Sequence, residues 1–134
     1  MSEAAPDRHA RVLVVDDNED AAELLALALE ALGYVVAVAP DALQALKIAG
    51  DLAPDIALLD IGLPVMDGYE LAERLTAQHR GAFPLRLVAL SGYGQEADRE
   101  RSMAAGFRDH LVKPVELEAI VRILATLSSE KSVS

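Results

Sequence analysis

The sequence predicts a single α/β domain, in which five consecutive βα units build an open, doubly wound parallel sheet. Three observations predict it. Short apolar runs alternate five times with longer segments of helical period. Three of those runs are apolar almost throughout, as strands are when helices cover both faces of a parallel sheet. The 134 residues are 52% hydrophobic, which supplies one core and leaves little room for a second domain.

The first unit pairs a strand at 11–16, containing Val12-Leu13-Val14-Val15, with a helix at 19–32. The second pairs 34–39 with a helix at 42–50. The third strand, 55–60, carries Ile56-Ala57-Leu58-Leu59, and its helix at 68–79 begins after a loop shaped by Pro64 and Asp67-Gly68. The fourth strand, 85–91, is apolar from Leu85 to Leu90 except at Arg86. Its helix, 96–105, has few large apolar residues and is expected to be among the less stable elements. The fifth unit joins a strand at 110–113 to a helix at 117–127, where Leu117, Ile120, Val121, Leu124 and Leu127 form a core stripe that Ile123 widens. Residues 1–10 and 128–134 are polar, lack a hydrophobic period and read as flexible tails around a domain at 11–127.

Composition narrows the function. Twenty-two acidic residues against twelve basic ones give a formal charge of −10, which argues against direct contact with nucleic acid or anionic lipid. With no cysteine, disulfides and thiolate zinc sites are excluded, and without an apparent export segment the expected location is cytoplasmic. No apolar run approaches the roughly 20 residues of a membrane helix, so no membrane partner is expected.

In doubly wound sheets ligands bind at the carboxyl ends of the strands, near the point where strand order reverses. Asp16-Asp17 end the first strand, Asp60 the third, Ser91 the fourth and Lys113-Pro114 the fifth. Carboxylates gathered there repel one another unless a cation intervenes, and hard oxygen donors suit Mg²⁺ with phosphate oxygens completing its shell. Lys113 offers a compact positive charge and Ser91 a hydroxyl, both suited to the oxygens of a phosphoryl group in flight. A carboxylate nucleophile would then become an acyl phosphate. Each residue alone has a plainer reading. Asp16, Asp17 or Asn18 could cap the first helix, Asp60 and Ser91-Gly92 could be turns, and Lys113 could be a solvated surface charge. Their convergence on one rim favours the chemical reading.

Four segments, Val-Leu-Val-Val-Asp-Asp-Asn (12–18), Leu-Leu-Asp-Ile-Gly-Leu-Pro-Val-Met-Asp-Gly (58–68), Leu-Ser-Gly (90–92) and Leu-Val-Lys-Pro (111–114), resemble the receiver domain of bacterial response regulators. The resemblance covers nearly all of 11–127. It implies a flavodoxin-like sheet of order 2-1-3-4-5. It also implies phosphorylation of Asp60 by a histidine kinase or histidine phosphotransfer protein in a two-component phosphorelay. Mg²⁺, with Mn²⁺ as a substitute, would be held by Asp17, Asp60 and the Gly62 carbonyl, with Asp16 helping directly or through water. Ser91 and Lys113 would receive the phosphoryl oxygens, and the Lys113-Pro114 bond would be cis. The family pattern describes a signalling domain with self-catalysed phosphoryl transfer and autodephosphorylation rather than a conventional enzyme. It switches a surface on the fourth helix, fifth strand and fifth helix toward a downstream protein, as a monomer or weak dimer.

Departures from the pattern matter at three places. Leu63 replaces a common Met, an apolar exchange of small consequence. His110 stands where the family usually has Tyr or Phe turning inward on activation. It is either a rotameric switch, with pH dependence from its imidazole, or a partly exposed strand-end histidine without a signalling role. Gly62 and Tyr93 occupy positions that tune the lifetime of the phosphoryl group, the glycine exposing it to water and the ring shielding it. With no DNA-binding or catalytic segment after Leu127, the output is expected from a binding surface, in a stand-alone receiver or a module of a hybrid histidine kinase. Three competing functions fit less well. A flavin electron carrier would find Asp16-Asp17 repelling its phosphate, and a haloacid-dehalogenase-type hydrolase would need Asp-x-Asp after the first strand. A pseudo-receiver scaffold would not need all five chemical positions.

Overall fold

The computed structural model describes residues 10–63, 66–79, 84–92 and 98–131. Its strands are β1 (Arg11–Val15), β2 (Val35–Ala39), β3 (Ile56–Asp60), β4 (Arg86–Ser91) and β5 (Asp109–Val112). All pair in parallel in the order β2-β1-β3-β4-β5. The helices are α1 (Glu19–Ala31), α2 (Ala42–Leu52), α3 (Gly68–Gln78), α4 (Asp98–Ala104) and α5 (Leu117–Lys131).

Side-chain alternation along the strands divides the core in two. Leu13, Val15, Ala57, Leu59, Leu87 and Ala89 pack with α2 and α3, while Val12, Val14, Ile56, Leu58, Val88 and Leu90 pack with α1 and α5. This two-sided burial explains the nearly continuous apolar runs of β1, β3 and β4. Helix starts are set by polar caps. Asn18, Asp41 and Asp67 each accept a hydrogen bond from the backbone N–H three residues on, which fixes where α1, α2 and α3 begin.

The chain leaves β1 toward β2 and returns to place β3 on the other side, so strand order reverses between β1 and β3. Their carboxyl ends, carrying Asp16 and Asp60, therefore flank the natural ligand crevice of such a sheet.

Two details of the last helix differ from the sequence reading. α5 continues to Lys131, four residues past Leu127. Ser128 lies one turn after Leu124 and is buried beside Leu127, so a small polar residue ends the core stripe where polarity alone suggested a tail. Leu117, expected in that stripe, is 45% exposed, because the helix begins above the carboxyl rim of the sheet and its first residue overhangs a groove. Among the described residues, no helix is long and apolar enough to cross a membrane.

Candidate functional site

Asp16 follows β1 and Asp60 ends β3, and because these strands are neighbours the two carboxylates stand side by side, both nearly buried. Each divides its oxygens in the same way. Asp16 Oδ1 accepts from the Asn18 N–H at 3.0 Å, and Asp60 Oδ1 accepts from the Gly62 N–H at 2.9 Å. The two Oδ2 atoms both accept from Lys113 Nζ, at 3.0 Å each. The turn reading of Asp60 is met at Oδ1, and in both aspartates one oxygen orients the side chain while the other faces the Lys113 ammonium. The capping alternative falls to Asn18, whose side-chain oxygen accepts from the Ala21 N–H, leaving Asp16 and Asp17 free of that duty.

Lys113 reaches this position because its backbone N–H donates to the Ser91 carbonyl at 2.7 Å, continuing the β4–β5 ladder by one step. The following Lys113–Pro114 peptide is cis. Partial burial by itself would lower the lysine pKa, but the hydrogen bonds and charges of Asp16 and Asp60 outweigh it, and the net shift is upward. Exposed Asp17 completes the cluster, with carboxylate oxygens of Asp16, Asp17 and Asp60 all within 4.8 Å of one another. Three hard oxygen donors converging in this way fit a Mg²⁺ ion that keeps some of its waters. Gly62 is exposed beside them, and a Cβ there would sit 3.5 Å from Asp60 Oδ1.

Ser91 ends β4 fully buried. Its Oγ lies 2.7 Å from His110 Nε2, and His110 Nδ1 lies 2.9 Å from Ser102 Oγ on α4. Ser102 Oγ is in turn 3.3 Å from the hydroxyl of Tyr69 on α3. His110 is 1% exposed, which removes the reading of a partly exposed strand-end histidine; the ring is already inside. Around Tyr69, Phe107 packs edge-on with centroids 6.1 Å apart, and the Arg101 guanidinium lies 3.9 Å from the ring centroid. Sequence reasoning brought Asp16, Asp17, Asp60, Ser91 and Lys113 to one end of the sheet, and the structure places them there with Gly62 beside Asp60, while His110 lies further back on β5, opposite Ala89. It missed Ser102 and Tyr69, whose one signal was a small polar residue on an otherwise charged helix. Tyr93 and Pro64 lie outside the described residues.

Beside the acid cluster a groove of about 610 Å³ runs between α1 and α5. Leu24, Leu25, Val115 and Leu117 give it apolar walls, and Asp16 and Lys113 belong to the same lining.

Comparison with known proteins agrees with this geometry. The model of the response regulator receiver domain matches residues 12–125. An "uncharacterized 14.6 kDa protein in sodA1 3'region" of Leptolyngbya boryana is 38% identical over 84% of this chain and 86% of its own length. The transcriptional regulatory protein PrrA of Mycobacterium bovis is 37% identical over 92% of this chain, which spans 52% of that regulator. Other transcriptional regulators among its relatives are likewise spanned for about half their length. A CheY-like response regulator receiver domain protein from Methanospirillum hungatei superposes with a TM-score of 0.81 at 28% identity, over 94% of this chain and 99% of that one. The five-stranded parallel fold, the matched span and these relatives together show that the chain belongs to the response regulator receiver domain family of two-component signalling.

Proposed function

We propose that this chain is the phosphoacceptor of a two-component phosphorelay, with Asp60 as the residue modified. The observation that carries the reading is Lys113 Nζ held between Asp16 Oδ2 and Asp60 Oδ2 at the carboxyl rim of the sheet. In the reaction, a carboxylate oxygen of Asp60 attacks the phosphorus of a phosphohistidine. The P–N bond breaks as the new O–P bond forms, and the imidazole leaves carrying a proton from solvent. Lys113 and Ser91 bind the phosphoryl oxygens. Asp17, Asp60 and the Gly62 carbonyl, with Asp16 nearby, would hold Mg²⁺, or Mn²⁺ in its place. When bound, the metal supplies neutralisation of the phosphoryl charge.

The transfer is self-catalysed, and hydrolysis of the acyl phosphate resets the domain. The absence of a side chain at Gly62, together with Tyr93, sets how readily water reaches the phosphoryl group. The donor is a histidine kinase or histidine phosphotransfer protein. A response through α4, β5 and α5 then engages a downstream protein in the cytoplasm, with no contact to nucleic acid by this chain.

Incubation with Mg²⁺ and acetyl phosphate tests the reading. The expected result is gain of one phosphoryl mass by the wild type and none by Asp60→Asn. Equal gain in both would overturn it.

A further inference from the structure

The buried chain Ser91–His110–Ser102–Tyr69 carries a second message. Ser91 is fully buried, and its single hydroxyl hydrogen needs an acceptor. His110 Nε2, at 2.7 Å, is placed to be that acceptor. A neutral imidazole that accepts at Nε2 carries its proton at Nδ1. Nδ1 can then donate to Ser102 Oγ at 2.9 Å, and Ser102 Oγ lies 3.3 Å from the Tyr69 hydroxyl, a contact in which either group can be the donor. The geometry allows every donor along this path to run from Ser91 outward to α3 in the resting domain.

We propose that loading the Asp60 pocket reverses this order, so that His110 works as a tautomeric relay between the pocket and Tyr69. The inference rests on the phosphoacceptor reading. When Ser91 turns its hydrogen to a phosphoryl oxygen, Nε2 keeps its bond to Ser91 Oγ only by becoming a donor. Nδ1 becomes an acceptor, Ser102 donates to it, and Ser102 Oγ accepts from the Tyr69 hydroxyl. The net change is one proton off Nδ1 and one onto Nε2, exchanged with water, with no change in charge. The ring does not have to move, because it is inside from the start. Ser102 and Tyr69 are positioning residues that act through His110, and the reversal ends on α3 and α4, where Arg101 lies over the Tyr69 ring.

The experiment uses the full chain with ¹⁵N-labelled histidine and ¹³Cζ-labelled tyrosine. Mg²⁺ with beryllofluoride serves as a non-hydrolysing stand-in for the phosphoryl group. ¹⁹F resonances report its binding, ring ¹⁵N resonances report the His110 tautomer, and Tyr69→Phe assigns the Tyr69 signal. The expected result is Nδ1–H before and Nε2–H after binding, with a displaced Tyr69 ¹³Cζ resonance. Ser102→Ala should bind beryllofluoride yet lose the Tyr69 displacement, and Ser102→Thr should restore it. Bound fluoride with an unchanged His110 tautomer, or a Tyr69 response that survives Ser102→Ala, would overturn the relay alone. Absence of bound fluoride would overturn the phosphoacceptor reading, and the relay with it.

Discussion

Gly68→Ala is expected to damage both stability and the site. The backbone of Gly68 is not in the left-handed region, so an alanine meets no conformational penalty there. The obstacle is steric. A Cβ at this position would stand 2.5 Å from Ile61 Cα and 2.8 Å from Ile61 Cγ2. The first of these is about 0.9 Å short of the 3.4 Å at which ordinary van der Waals contact begins. Because the closest obstacle is backbone, the β3–α3 loop itself must retreat. Overpacking of this kind costs about 1–3 kcal/mol, offset by about 1 kcal/mol from the better helix preference of alanine, for a net loss of up to about 2 kcal/mol. Ile61 adjoins Asp60 and Gly62, and a shift near 0.9 Å exceeds the roughly 0.5 Å to which a reacting constellation must be held. The rate of phosphorylation by a small phosphodonor should therefore fall on the order of 10²-fold. Urea unfolding measures the first effect and single-turnover mass spectrometry the second. Gly50→Ala, where nothing lies within 4 Å of the new Cβ, is the control and should gain about 0.5–1 kcal/mol. If the two variants behave alike, close approach is not what requires glycine at position 68.

Arg86 is buried at the start of β4, and its Nε and Nη2 atoms have no hydrogen-bond partner among the described residues. Arg86→Met keeps the apolar bulk without the buried donors, and should raise the urea midpoint by an amount equivalent to about 1–3 kcal/mol. For Lys113 the folded pKa lies above the ordinary 10.5. Its contribution to stability is therefore complete below 10.5 and is lost as pH rises through the higher folded value. Unfolding midpoints followed into the alkaline range should decline more for the wild type than for Lys113→Met, and parallel curves would contradict the lysine–carboxylate pairing.

The fold was legible because the physics behind it is local. Uninterrupted apolar strands specify burial on both faces, and Asn18, Asp41 and Asp67 mark helix starts by capping chemistry. The rim residues were legible for a different reason: a parallel sheet delivers the ends of β1, β3, β4 and β5 to one place, so their chemistry can be summed before any distance is known. The neighbours of His110 were not. Tyr69 and Ser102 are 33 residues apart, meet only through packing of α3 against α4, and belong to no motif. Leu117 and Ser128 misled in opposite directions, since hydrophobicity alone does not say where a helix outruns the sheet beneath it.

Lys113 also gives the domain an internal counter-ion. Two nearly buried carboxylates would strain an unpaired fold, yet here their charge is shared with a side chain that the protein itself supplies. Folding is thereby separated from ligation, in contrast to small metal domains that collapse only around their ion. A chelator should leave the domain folded and lower its unfolding midpoint only by the linkage contribution of a bound ion, and on the proposed function a cation or phosphoryl group would enter by exchange of partners within a finished scaffold. On the proposed function, loading and emptying the receiver would therefore require no refolding.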